Sequence, residues 1–205
     1  MKIHFFFVIK TCYNKHVINM YDIENVKQTV KKLVNEERYN HCLLTGNAAK
    51  ELAKKYNYDE EIAYIVGIAH DIAKDFSKEE IKKWADKYQL PKELLKDNYK
   101  QLIHADIGAI VCQEWFDFNA EMCRAIKYHT VPDEEMNLLD KIIFIADKIG
   151  RTDIPEDLKD LKEVALNNLD EAIILFLEKQ QIMLKKHNRD LFPRTIKLLE
   201  SLKKE

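Results

Sequence analysis

Glycine and proline are scarce, four of each in 205 residues. Sheet proteins need turn residues between their strands, so this shortage argues against an all-β design and favours long helices joined by few turns. No charge sign dominates: 33 basic and 35 acidic residues are interleaved, for a net charge of −2. That leaves no basic stripe to hold a nucleic-acid backbone. The apolar run at residues 5–9 is too short to span a membrane. It is also short for the apolar part of a secretory signal, and no small-residue cleavage site follows it. Cysteines stand at 12, 42, 112 and 123, none in a Cys-x-x-Cys pair, so neither a zinc knuckle nor a redox motif is suggested. Free thiols without a secretory leader point to a reducing cytoplasm.

What is present is helical periodicity over nearly the whole chain. Hydrophobic residues make up 46%, enough for one domain with a substantial core. Ile23, Val26, Val30, Leu33 and Val34 fit a 3.6-residue period after Asp22. A second helix is expected over 38–56, with Leu44, Ala48 and Leu52 on one face. Asp59 can cap a third, and Ser77 with Glu80 has the spacing of a capping box. Further helices fit 102–116, 119–129, 137–149, 169–187 and from Pro193 onward. Gly150 reads as a helix stop, and Pro155 suits the first turn of another helix. No repeat or linker divides the chain. Residues 20–205 are expected to form one all-α domain; 1–19 read as a tail, or as sequence upstream of a start at Met20, with a strand over 3–9 the alternative.

Several polar residues fall on apolar faces. His41 precedes Thr45 and Ala48, His70 follows Ala63 and Val66, His104 precedes Ile107 and Val111, and His129 follows Met122, Ala125 and Ile126. Asp147 interrupts the run Ile142-Ile143-Phe144-Ile145-Ala146, and Asp71 sits beside His70. A single inward histidine is more often a hydrogen-bonded core residue than a ligand. Four of them with two carboxylates are another matter, because a buried charge needs compensation and no arginine or lysine on these faces offers itself to Asp147. One shared metal compensates them all. His4, His16 and His187 lie in the tail or among polar residues and read as solvated. Imidazole and carboxylate donors together suit iron, manganese, zinc, cobalt or nickel.

His41, the adjacent pair His70-Asp71 and the distant Asp147 resemble the H…HD…D pattern of the HD-domain superfamily. The pair alone arises by chance; the ordered set of four on separate helices is specific. The stretches Arg38-Tyr39-Asn40-His41, His70-Asp71-Ile72-Ala73-Lys74, His104-Ala105-Asp106-Ile107-Gly108-Ala109, Ala125-Ile126-Lys127-Tyr128-His129-Thr130 and Ile145-Ala146-Asp147-Lys148-Ile149 resemble the YqeK-like branch, over about residues 22–200. The resemblance implies a helical HD-type bundle with a central metal, iron by preference, held by His41, His70, Asp71 and Asp147. It further implies symmetrical hydrolysis of diadenosine tetraphosphate to two ADP, and a homodimer. In one place the chain departs from the branch: Gly150-Arg151 follows Ile149 directly, where the family has Glu-Pro-Gly-Arg. Arg151 is the match to the family arginine.

A metal on such donors lowers the pKa of a water and offsets charge on phosphate oxygens. Asp71 can also orient the attacking water. His104 and His129 are left with two roles: contacts to phosphate or general acid, or ligands to a second metal. Lys74, Thr130 and Arg151 are candidate phosphate contacts, with Arg38 a weaker one. Gly67 and Gly108 lie inside helical patterns and read as sites of close packing, or as room for substrate. Phe192-Pro193-Arg194-Thr195 reads as a helix start, although a similar family segment returns over the nucleotide. Two rivals remain. One is another HD hydrolase acting on mononucleotides, deoxynucleotides or guanosine polyphosphates; the other is a nucleotide-binding sensor without turnover. The absence of Gly-Tyr-Pro after the His-Asp pair sets cyclic-dinucleotide phosphodiesterases aside.

Overall fold

The computed structural model describes residues 21–91, 95 and 102–204. The tail at 1–19 and the strand expected over 3–9 lie outside these residues. Among the described residues there are ten α-helices and no strand: α1 (Ile23–Leu33), α2 (Glu36–Lys55), α3 (Glu60–Ala69), α4 (Lys78–Lys87), α5 (Ile103–Phe116), α6 (Ala120–Tyr128), α7 (Leu138–Ile149), α8 (Leu161–Asn167), α9 (Leu169–Lys186) and α10 (Pro193–Leu202). None is long and apolar enough to cross a membrane.

Side-chain caps set most of the helix starts. Asp22, Asp59 and Asn119 each accept from backbone N–H groups of the first turn, satisfying donors that have no partner within the helix. Ser77 with Glu80, and Asn137 with Asp140, close reciprocal capping boxes. Two boundaries differ from expectation. Asn35 caps α2, so that helix starts at Glu36 rather than Arg38. Pro155 opens only a short 3-10 turn, Glu156–Leu158; α8 follows as a separate helix and ends where Asn168 caps α9.

Packing centres on α7, where Leu139, Ile142, Ile143, Phe144, Ile145 and Ala146 are all buried. It contacts α2, α3, α6, α8 and α9. On α2 the buried stripe is Cys42, Thr45, Gly46, Ala49, Leu52 and Ala53. Leu44 is 38% exposed and lines a cavity instead of the core, contrary to the face expected for it. Gly67 meets Gly46 across the α2–α3 contact: a Cβ at 67 would stand 2.8 Å from Gly46 Cα, so the pair lets two backbones touch. That is the close-packing role expected of Gly67. Gly108 is less tightly enclosed, with the nearest atom to its virtual Cβ at 3.4 Å.

Candidate metal centre

Five helices deliver their polar residues to one point. His41 lies in the second turn of α2, His70 caps the C-terminus of α3, and His104 is in the first turn of α5. His129 caps α6, and Asp147 sits in the last turn of α7. Asp71 follows in the turns at 70–75 that continue from α3, together with Lys74, whose N–H bonds Asp71 O at 2.9 Å. The first cluster contains His41 Nε2, 3.2 Å from His70 Nε2 and 2.9 Å from Asp147 Oδ1. His70 Nε2 is 3.5 Å from both Asp147 Oδ1 and Asp71 Oδ2. A second cluster shares Asp71: its Oδ1 is 3.0 Å from His104 Nε2 and 3.4 Å from His129 Nε2, which are 3.2 Å apart.

Backbone carbonyls orient three of these rings. His41 Nδ1 bonds Gly150 O at 3.1 Å, His70 Nδ1 bonds Gly67 O at 2.6 Å, and His129 Nδ1 bonds Ile126 O at 2.6 Å. A carbonyl only accepts, so each Nδ1 carries a proton and each Nε2 is left to face the cluster. His41 Nε2 and His70 Nε2 face each other at 3.2 Å, an arrangement that a cation between them satisfies. Donors ~2.1 Å from one metal at right angles stand ~3 Å apart, the spacing found here. Asp71 Oδ1 adds a second sign: it is buried, and the polar atoms beside it are the Nε2 atoms of His104 and His129, 3.0 and 3.4 Å away. The donor set therefore fits a divalent metal, with carbonyl-bound imidazoles as the supporting shell such sites use.

The electrostatics follow from burial set against pairing. Burial opposes ionisation of Asp71, but His70, His104 and His129 outweigh it and hold the carboxyl well below its usual range. Burial likewise opposes charge on Asp147, and Lys148, His41 and His70 reverse the balance. Burial would lower His70, yet Asp71 and Asp147 raise it. Burial dominates at His104, which is lowered, and at His129, which falls to about 4.

Two cations carry more of this balance than the sequence suggests. Lys148 Nζ donates to Asp147 Oδ2 at 2.5 Å and to His129 O at 3.2 Å, correcting the expectation that no basic residue serves Asp147. It was missed because neighbours in sequence leave a helix in different directions, but a lysine is long enough to reach back. Arg38, ranked as a weak phosphate contact, donates from Nη1 to Asp71 Oδ2 at 2.9 Å. The other candidates surround a cavity of about 930 Å3 that opens on the cluster and is lined by Arg38, Lys74, Thr130, Lys148 and Arg151 among others. Lys74 Nζ stands 3.3 Å from His104 Nε2, and burial lowers its pKa. Arg151 lines the cavity from its rim, held by Asp153 at 3.2 Å. His187 is exposed, as expected. Arg194 and Thr195, at the start of α10, bond Val131 O and Pro132 O in the loop after Thr130. The Pro193 segment is thus a helix start that also pins this loop.

A family model for the HD domain matches residues 38–152. Curated relatives carry the name symmetrical bis(5'-nucleosyl)-tetraphosphatase, among them two from Bacillus subtilis and Staphylococcus aureus. The protein from Bacillus subtilis is 34% identical over 173 residues, 84% of this chain and 92% of its own length. The one from Staphylococcus aureus is 31% identical over 183 residues, 87% of this chain and 93% of its own. Among solved structures, a predicted HD superfamily hydrolase involved in NAD metabolism from Clostridium acetobutylicum superposes with a TM-score of 0.81 at 27% identity, over 91% of this chain and 99% of that one.

Proposed function

The chain belongs to the HD domain family, and from that premise we propose that it is a metal-dependent phosphohydrolase that cuts diadenosine tetraphosphate symmetrically into two ADP. The metal is held by His41, His70, Asp71 and Asp147, and iron is the metal proposed. The observation that carries the reading is the convergence of His41 Nε2 and His70 Nε2, 3.2 Å apart, with a carboxylate oxygen of Asp71 and one of Asp147 each 3.5 Å from His70 Nε2. The names of the Bacillus and Staphylococcus relatives supply the substrate.

When bound, the metal supplies positive charge against phosphate oxygens and a lowered pKa for a water. The chain does the rest. Lys74, Arg151 and Thr130 bind the phosphate chain, offsetting charge in a cavity whose nearly neutral surroundings give no long-range steering. Asp71 turns Oδ2 toward His70 and Oδ1 toward His104 and His129, so Oδ1 is placed between the two clusters to accept from and orient the attacking water. Gly150 O and Gly67 O fix the rings of His41 and His70. His104 has no carbonyl at Nδ1 and sits beside Lys74, which suits a phosphate contact or a proton donor for the leaving group.

A specific observation favours a second role for His129. Its Nδ1 proton is committed to Ile126 O and burial keeps the ring neutral, so Nε2 offers a lone pair that cannot donate to phosphate. With Asp71 Oδ1 and His104 Nε2 it forms a three-donor set for a second ion. Metal analysis of the purified protein beside Asp147→Ala tests the assignment. The wild type should hold one or two equivalents and the variant should lose metal and turnover while keeping its helical content. Full occupancy and activity in the variant would overturn it.

A further inference from the structure

We propose that Trp84, Tyr88 and Trp115 form a stacking shelf for the second nucleobase of the dinucleotide, an inference that rests on the diadenosine tetraphosphate reading. The shelf lies outside the cavity, along a helix stripe that starts at its wall. Ile81, on α4, lines the cavity together with Phe76 and Leu102, which lie just before α4 and α5. Trp84 and Tyr88 follow Ile81 at three and seven residues, on the same stripe of the helix. Trp115 comes from the last turn of α5, whose first turn carries His104. Both helices therefore lead from the phosphate-handling centre to the same aromatic face.

The face is held in shape. Trp84 stacks on Tyr88 with centroids 5.8 Å apart and 13° between planes, and meets Trp115 edge-on at 5.9 Å. Lys87 Nζ lies 5.1 Å from the Trp84 ring and 5.2 Å from the Tyr88 ring. Lys87 and the Tyr88 hydroxyl both bond the Glu114 carboxylate on α5, so that negative charge is paired. Packing α4 on α5 accounts for Trp84, which is half-buried. It does not account for Trp115, left 43% in water beside Tyr88, which is 40% exposed though tied to α5 through Glu114. These are the chain's only two tryptophans, and both stand here.

A base is the occupant that fits. Cutting a dinucleoside tetraphosphate at its middle leaves one nucleoside diphosphate on either side of the reacting phosphorus, so the half not held in the cavity extends outward. The helical rise from His104 to Trp115 is ~16 Å, comparable with an extended nucleoside diphosphate. Any base offers a π face to aromatic rings. Three rings are far smaller than the ~800 Å2 per partner of an ordinary protein interface.

The test compares Trp84→Leu, Trp115→Leu and Trp115→Phe with the wild type on diadenosine tetraphosphate and on adenosine 5'-tetraphosphate, which has one base. The leucine variants should raise KM for the dinucleotide about tenfold more than for the single-base substrate, and Trp115→Phe should recover most of that difference. Tryptophan fluorescence of the wild type should be quenched on mixing with the dinucleotide and much less with the single-base compound. Quenching without turnover keeps the shelf and removes the proposed reaction. Turnover without quenching, with the preference for the dinucleotide unchanged in the leucine variants, overturns the shelf. So does a shift from dimer to monomer in Trp115→Leu, which would assign the face to a second copy of the chain.

Discussion

Replacing Gly150 with alanine couples the packing of the bundle to the metal site. The backbone there has φ −77°, open to any residue, so the conflict is spatial and not conformational. An added Cβ would stand 2.6 Å from Thr45 Cα, 2.7 Å from Thr45 N and 2.7 Å from Ala146 O. All three are backbone atoms, and none can rotate aside. The end of α7 must therefore retreat from α2. Overpacking of this kind costs ~1–3 kcal/mol, and the stiffer unfolded chain returns ~0.4–1 kcal/mol. A net loss of roughly 1–2 kcal/mol is expected in urea unfolding. The retreat also displaces Gly150 O, which holds His41 Nδ1, and the helix turn that carries Asp147. Losing such a supporting contact weakens metal binding by ~10–100-fold, readable by competition with a chelator. Gly108→Ala is the control. Its Cβ would make ordinary contacts with Ile72 at 3.4 Å and Ile126 at 3.5 Å, so helix propensity should stabilise it by up to ~1 kcal/mol. Equal losses in the two variants, or a Gly150→Ala protein with wild-type stability and metal affinity, would refute the reasoning.

Lys74→Ala should lower kcat/KM by about tenfold or more, the worth of a charged hydrogen bond, without releasing metal. Arg151→Ala should cost less, since Asp153 already holds that side chain at an exposed rim; metal loss in either variant would move it into the ligand set. Burial raises the Asp140 carboxyl from 3.8 to about 6, against the lowering pull of Asn137 N–H and Arg124. A raised acid contributes fully to stability below its unfolded value and loses that contribution as pH rises through the folded one. Relative to Asp140→Asn, the wild type should therefore lose on the order of 1–3 kcal/mol between about pH 4 and pH 7. A pH-independent difference between the two proteins would contradict this.

Caps and periodicity made most of the fold legible before any coordinates. Asp22, Asp59, Ser77, Asn119 and Asn137 each announce a helix, because their side chains satisfy N–H groups that the helix cannot. Asn35 does the same for α2, but sits beyond a periodic pattern that looked complete from Arg38. The start of α9 at Leu169 was legible too; the start of α8 was not, because Pro155 opens only a 3-10 turn ahead of it. Asn168 ends α8 and caps α9 at once, a double role that the periodicity alone does not show. In the site, inward-facing polar residues pointed to the donor groups, since a buried carboxylate or imidazole stands out against Ile and Ala. Pairings between helices did not show. The reach of Arg38 to Asp71, the backward reach of Lys148, and the use of both Asp71 oxygens depend on how α2, α3 and α7 meet, which no single helix face reveals.

The central claim is that one phosphorus at the middle of a dinucleoside tetraphosphate is attacked by water at the His41, His70, Asp71 and Asp147 centre. Hydrolysis of diadenosine tetraphosphate in heavy-oxygen water, with the products separated and weighed by mass spectrometry, tests it directly. Attack at a central phosphate yields ADP alone, with the label on one of each pair of molecules. AMP and ATP as the main products would contradict symmetrical cleavage, and rapid hydrolysis of a mononucleotide with no turnover of the dinucleotide would contradict the substrate assignment altogether.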